Sequence, residues 1–254
     1  MNDGWGIGAS PKRKEDLRLL TGRGRYSADT NLAGQAHAFM LRSPHAHAAI
    51  RGIDVSAAMG VPGVLAVLTQ TEQREDGLRP IPHAVWSGHP AEVALPNADG
   101  SKAFIAEQHP LAQDRVAHVG DIVAMVVAET LSAARDGAES VVVDYDVLPT
   151  VTTAADAAAP DAPIARTDAP NNISIDAEVG DKVATDAAFA AAAHVVQLDS
   201  WVQRVAGVPM EPRAAVGEYD PASGKYALHA GAGGAVRPRN DVAAVLNVPP
   251  DRVR

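Results

Sequence analysis

The stretch Asp114–Glu129, DRVAHVGDIVAMVVAE, with its continuation to Pro149, decides how the first half of this chain folds. Gly120-Asp121 is a turn signal, and Ile122 to Ala128 is a nearly unbroken apolar run rich in valine. Such a run predicts a strand buried on both faces. Thr130 or Ser132 can cap a helix reaching about Glu139, with Leu131, Ala134 and Ala138 sharing one face. Val141 to Asp146 is a second β-rich run, stopped at Leu148-Pro149. Strand, short helix and strand together predict a βαβ-like centre on which other strands pack.

Working outward, Ile53 to Ser56 leads into a short helical turn closed by Gly60 and Pro62, and Val64 to Thr69 reads as a strand. From Glu72 to Gln108 periodicity dissolves into Pro, Gly, His and charge, which predicts a long surface excursion. His83, Trp86 and His89 there could meet a partner or pack on their own domain. Thr150 to Pro170 is mostly Ala, Asp, Thr and Pro, a linker composition. A second α/β unit follows: a helix near Asp186–Ala193, then candidate strands 194–205, 213–219 and 225–230. Asp220–Gly224 is a hairpin turn, and Asn240-Asp241 opens a helix that Pro249-Pro250 terminates. The closing DRVR reads as a strand just begun, so the chain is expected to be truncated.

Composition narrows the function. The 254 residues can bury one large core or two modest ones, built mainly from Ala and Val because aromatics are only 4%. A net charge of −9, from 31 acidic and 22 basic residues, argues against a nucleic-acid role. The chain has no cysteine, hence no disulfide, thiolate zinc site or iron–sulfur ligation of its own. No apolar run is long enough to span a membrane and Met1–Ser10 is not a leader, so the expected location is the cytoplasm. Six basic residues lie between Lys12 and Arg25. They are either a docking arm for an acidic partner or a solvated helix with Leu17 and Leu20 turned inward.

Local signatures of a complete active site are missing: no nucleophile elbow, no Walker A loop, no His-Glu-x-x-His pair. His45 and His47, two apart on a strand, read as a metal pair or as hydrogen-bonded structural histidines, with no third ligand at a recognisable spacing. Two places could bear chemistry. Gly231-Ala-Gly233-Gly234-Ala-Val-Arg237-Pro-Arg239 is a glycine-rich turn between a strand and a helix, where free N–H groups and two arginines would favour an anionic or oxo ligand. It could equally be an ordinary turn. In Val208-Pro-Met-Glu211-Pro-Arg213, Glu211 is held between two prolines and can form an ion pair with Arg213 or serve as a catalytic carboxylate.

These stretches resemble one family. HPLAQDRVAHVGDIVAMVVAETLSAARDGAESVVVDYDVLP and IDVSAAMGVPGVLAVLT are similar to the α/β-hammerhead domain of the molybdenum hydroxylases: xanthine dehydrogenases, aldehyde oxidases and carbon monoxide dehydrogenase large subunits. Thr21-Gly-Arg-Gly-Arg-Tyr26 and Arg42-Ser-Pro-His-Ala-His-Ala48 resemble the opening of that subunit. VPMEPRAAVGEYD and LHAGAGGAVRPRNDVAAVLNVPPDRVR are similar to the start of its molybdopterin-binding domain. The resemblance implies a mixed α/β fold: an arm over 1–13, a hammerhead domain over 14–150, a linker over 151–170 and the beginning of a cofactor domain over 171–254. It implies a molybdenum–molybdopterin cofactor and hydroxylation of an electron-poor carbon. Iron–sulfur and FAD partner subunits and a polypeptide carrying the rest of the cofactor domain would complete the enzyme. Gly233, Gly234, Arg239 and Glu211 are the implied cofactor contacts, with no catalytic residue and no metal ligand in this chain. Where many members carry a glutamine that bonds an oxo ligand, this chain has Gly233. A non-catalytic scaffold docking a second polypeptide is the alternative reading, and a small-anion binding module a weaker third.

Overall fold

The computed structural model describes residues 6–8, 10, 12–83, 96–169, 171–203, 205–209 and 211–254; Trp86 and His89 lie outside the described residues. The helices are α1 (Asp16–Leu20), α2 (Ser56–Met59), α3 (Gln70–Glu75), α4 (Leu131–Glu139), α5 (Ala154–Ala157), α6 (Lys182–Ala191) and α7 (Val236–Val245). The strands are β1 (His37–Arg42), β2 (Ala48–Asp54), β3 (Val64–Leu68), β4 (Arg115–Val116), β5 (Ile122–Ala128), β6 (Val142–Val147), β7 (Ala215–Asp220) and β8 (Lys225–Ala230).

The valine-rich run forms β5, the middle strand of a sheet ordered β1-β5-β3 and antiparallel to both neighbours. Its side chains are buried to either side. Ala124 and Val126 join a cluster with Ala58, Val67 and Ala138, while Val123 joins another with Ala48, Ala112 and Val116. Each fully buried valine is worth about 1.5–3 kcal/mol, so this strand anchors the domain. Thr130 caps α4, its Oγ1 accepting from the Ala133 N–H at 3.1 Å. The helix lies on β1 and β5. It comes close because Gly137 has no side chain: a Cβ there would stand 2.9 Å from methyls of both Val126 and Val64.

The β5–α4–β6 segment is not a βαβ unit, contrary to the sequence expectation. β6 belongs to a second sheet, ordered β4-β2-β6, where it pairs antiparallel with β2. A parallel crossover strand needs a continuous apolar run. β6 instead exposes Val142 and Asp144 while Val143 and Tyr145 are half-buried, the alternation of a one-sided antiparallel strand. A βαβ arrangement occurs elsewhere. β8 leads into α7, and the chain then returns through a 3₁₀ turn (Pro250–Arg252) to a parallel bridge between Val253 and Tyr226. Arg254 N–H donates to the Tyr226 carbonyl at 3.0 Å, and Leu228 N–H to that of Arg254 at 2.8 Å.

Other expectations shift. Leu17 and Leu20 are 68% and 85% exposed, so α1 does not turn them inward. The helix expected near 186–193 runs from Lys182 to Ala191, because Asp181 caps it by accepting from the Ala184 N–H. The expected strand 194–205 is not formed: its described backbone finds no ladder partner, and Val196, Leu198, Trp201, Val202 and Val205 stand 78–95% exposed. α7 begins at Val236 rather than Asn240. Pro238 sits in its first turn, where its missing N–H costs nothing. The 154–165 stretch is tied down by Asn172, whose side chain donates to the Ala157 and Pro163 carbonyls and accepts from the Ala165 N–H.

Candidate functional site

β8 ends at Ala230 and α7 starts at Val236, which leaves Gly231–Ala235 as the turn at the carboxyl end of a strand in the βαβ arrangement. That is where open α/β units bind ligands. The backbone N–H groups of Gly231, Ala232, Gly233 and Gly234 donate to no described residue. α7 has no side-chain cap at Ala235. Free donors and the positive end of a helix dipole therefore coincide. A Cβ on Gly233 or Gly234 would meet nothing within 4 Å, so this side of the turn is open.

Glu211 is brought to the turn, but not by Arg213. The chain bends at Glu211, and the carboxylate Oε1 accepts from both the N–H and the Oγ of Ser27, each at 3.1 Å. This replaces the expected Glu211–Arg213 pair. The same oxygen would lie 3.2 Å from a Cβ on Gly231. Ser27 is itself held in a 3₁₀ turn, where the Tyr26 N–H donates to Asp29 Oδ2 at 2.8 Å. An open hollow of about 810 Å³ lies between the two stretches, lined by Pro209, Glu211, Arg213, Ala215, Gly231 and Ala232.

The arginines of the turn go elsewhere. Arg237 reaches Asp241 across one turn of α7 at 3.6 Å. Arg239 lines a second hollow of about 500 Å³ with Glu218, Asp220, Lys225 and Arg254. Beside that hollow, Glu218 and His229 pair across the β7–β8 ribbon at 3.0 Å. The structure thus brings Glu211 against Gly231 at the start of the turn that continues to Gly233 and Gly234, and Arg239 lines a different hollow.

The histidine pair sits in the connection between β1 and β2. His47 is 5% exposed, and its Nδ1 donates to the Pro149 carbonyl at 2.9 Å. His45 meets the Tyr145 ring edge-on at 4.9 Å. Burial pushes the Tyr145 hydroxyl up, the Ser43 hydrogen bond opposes this, and the Asp121 carboxylate adds to it. Among the described residues no group of three or more His, Cys, Asp or Glu could hold a metal ion. Sequence reasoning missed Ser27. The only local signal was the Tyr26–Asp29 turn, which announces a capped bend but not a partner 184 residues away.

Residues 21–149 match the family model of the aldehyde oxidase and xanthine dehydrogenase a/b hammerhead domain. The chain belongs to this family. Residues 165–254 match the molybdopterin cofactor-binding domain, so the Glu211–Gly231 hollow falls within the cofactor-domain match of this family member. Among curated relatives, the nicotine 6-hydroxylase large subunit of Paenarthrobacter nicotinovorans is 38% identical over 84% of this chain and 24% of its own length. The carbon monoxide dehydrogenase large chain of Hydrogenophaga pseudoflava is 32% identical over 95% of this chain and 29% of its own. The crystal structure of quinoline 2-oxidoreductase from Pseudomonas putida 86 superposes with a TM-score of 0.80 at 33% identity, covering 97% of this chain and 29% of that one. The chain therefore spans under a third of the length of these relatives. No helix among the described residues is long and apolar enough to cross a membrane.

Proposed function

We propose that this chain is the front portion of a molybdopterin-binding large subunit in a molybdenum-dependent hydroxylase or dehydrogenase, with residues 14–150 as its hammerhead domain and 171–254 as the start of its cofactor domain. One observation carries the reading: four consecutive N–H groups, Gly231 to Gly234, with no acceptor among the described residues, stand ahead of a helix without a side-chain cap within the cofactor-domain match. The donor set fits the group. Molybdopterin and its metal present phosphate and oxo oxygens, which accept from backbone N–H groups and gain from a helix N-terminus. The N–H groups of Gly233 and Gly234 would hold such oxygens, and the missing side chains leave the approach open. Gly233 offers a main-chain donor where the resemblance places a glutamine amide. Glu211, its Oε1 already bonded by Ser27, supports the turn at Gly231 rather than touching the oxygens. When bound, the cofactor supplies the redox centre at which substrate carbon is oxidised.

Turnover needs more than this chain. We assign the rest of the site to the polypeptide that relatives carry beyond the matched third, and electron exit to iron–sulfur and FAD subunits. The relatives' names, a "large subunit" and a "large chain", and the exposed apolar stretch between Val196 and Val205 support such partners. The test is native purification with intact mass, partner masses and molybdenum content measured together. Molybdenum should travel with the complex, or with a longer polypeptide containing these residues. A lone, metal-free chain would refute the enzyme reading and favour the scaffold.

A further inference from the structure

We infer that Ser27, in the first domain, is a positioning residue for the Gly231–Gly234 turn, acting through Glu211. This rests on the cofactor reading above, which makes that turn the ligand-holding element. Three segments far apart in sequence meet at one oxygen. Glu211 Oε1 takes two hydrogen bonds from Ser27, at 3.1 Å each, and lies against the bare Cα of Gly231. An added Cβ at Gly231 would stand 3.2 Å from Oε1 and 3.4 Å from Ser27 Oγ, so any side chain there would press on both partners. Among the described residues, no donor reaches the other carboxylate oxygen, so Ser27 alone orients the group. Ser27 cannot easily follow a drifting carboxylate, because its own turn is closed by the Tyr26–Asp29 bonds. Among the described residues the turn's N–H groups find no acceptor and it has no ladder of its own, so this packing holds its first residue in place. Gly231 is absent from the positive-φ glycines, so substitution there tests packing and not backbone strain.

The experiment is ¹⁵N relaxation of the Gly231, Gly233 and Gly234 amides in the full 254-residue chain, as wild type and as Ser27→Ala, Ser27→Thr, Gly231→Ala and Gly233→Ala. Order parameters should be near the rigid value of about 0.85 in wild type and fall below about 0.6 in Ser27→Ala and Gly231→Ala. Ser27→Thr keeps the hydroxyl and should restore rigidity; Gly233→Ala meets nothing and should leave Gly231 rigid. Amides of β5 report whether a variant has merely lost its fold. Unchanged order at Gly231 in Ser27→Ala would overturn the proposal. Molybdenum content of the native assembly carrying the same substitutions separates the two readings. A turn loosened by Ser27→Ala in a protein that never holds molybdenum would sustain the clasp and sink the cofactor reading. Molybdenum in wild type with an unaffected turn would do the reverse.

Discussion

Replacing Gly137 by Ala should destabilise the protein, although Ala is the better helix former. Gly137 lies inside α4, and an added methyl would come within 2.9 Å of Val126 Cγ1 on β5 and Val64 Cγ2 on β3. Helix propensity alone favours Ala by about 1 kcal/mol. Overpacking a close-packed core costs about 1–3 kcal/mol, and two simultaneous contacts with methyls on different strands belong in the upper part of that range. The net is a loss of about 1–2 kcal/mol, or a melting temperature lower by roughly 2–8 °C for a chain of this size. Urea unfolding followed by far-ultraviolet circular dichroism gives the number. Val64→Ala removes one of the clashing methyls, so the Val64→Ala/Gly137→Ala pair should lose less than the sum of its singles, with a coupling of at least about 0.5 kcal/mol. A Gly137→Ala protein as stable as wild type, or more so, would refute the claim that α4 approaches the sheet through this glycine.

Substitutions at two more sites test local parts of the fold. For Glu72, burial raises the carboxyl, but the Thr69 hydroxyl and N–H, each 2.7 Å from Oε2, outweigh it and hold the group below its ordinary 4.5. A lowered folded value means stabilisation that is full above the ordinary pKa and lost as pH falls through the folded one. Thr69→Ala should therefore cost about 1 kcal/mol at neutral pH, and its gap from wild type should narrow below pH 4.5; a gap independent of pH would contradict this. His47→Leu removes the donor to the Pro149 carbonyl and should cost about 1 kcal/mol, whereas His47→Asn keeps a short donor and should cost clearly less. Equal losses in the two unfolding curves would show that the hydrogen bond is not what His47 provides.

Local chemistry was enough to announce many elements. The apolar run at 122–128 reads as a doubly buried strand and forms β5, Thr130 is one of two candidate caps and caps α4, and the turn at Asp220–Gly224 joins β7 to β8 as expected. In each case the signal and its cause lie within a few residues. Two readings differ from the structure. α7 starts four residues ahead of Asn240, with Pro238 in its first turn, where a missing N–H is tolerated. The 194–205 run has strand composition, but a strand exists only where another edge supplies its hydrogen bonds.

The candidate site divides the same way. The glycine-rich turn between strand and helix was visible in the sequence, because glycine, strand end and helix start are neighbours along the chain. Which sheet takes β6, why Arg239 leaves the turn, and what holds Glu211 were decided by the tertiary path. Ser27 and Glu211 lie 184 residues apart, and nothing in either neighbourhood encodes the other. Capping and periodicity are short-range physics and can be read from a window of residues. A carboxylate's choice between Arg213 two positions away and Ser27 in another domain depends on where the folded backbone puts the donors.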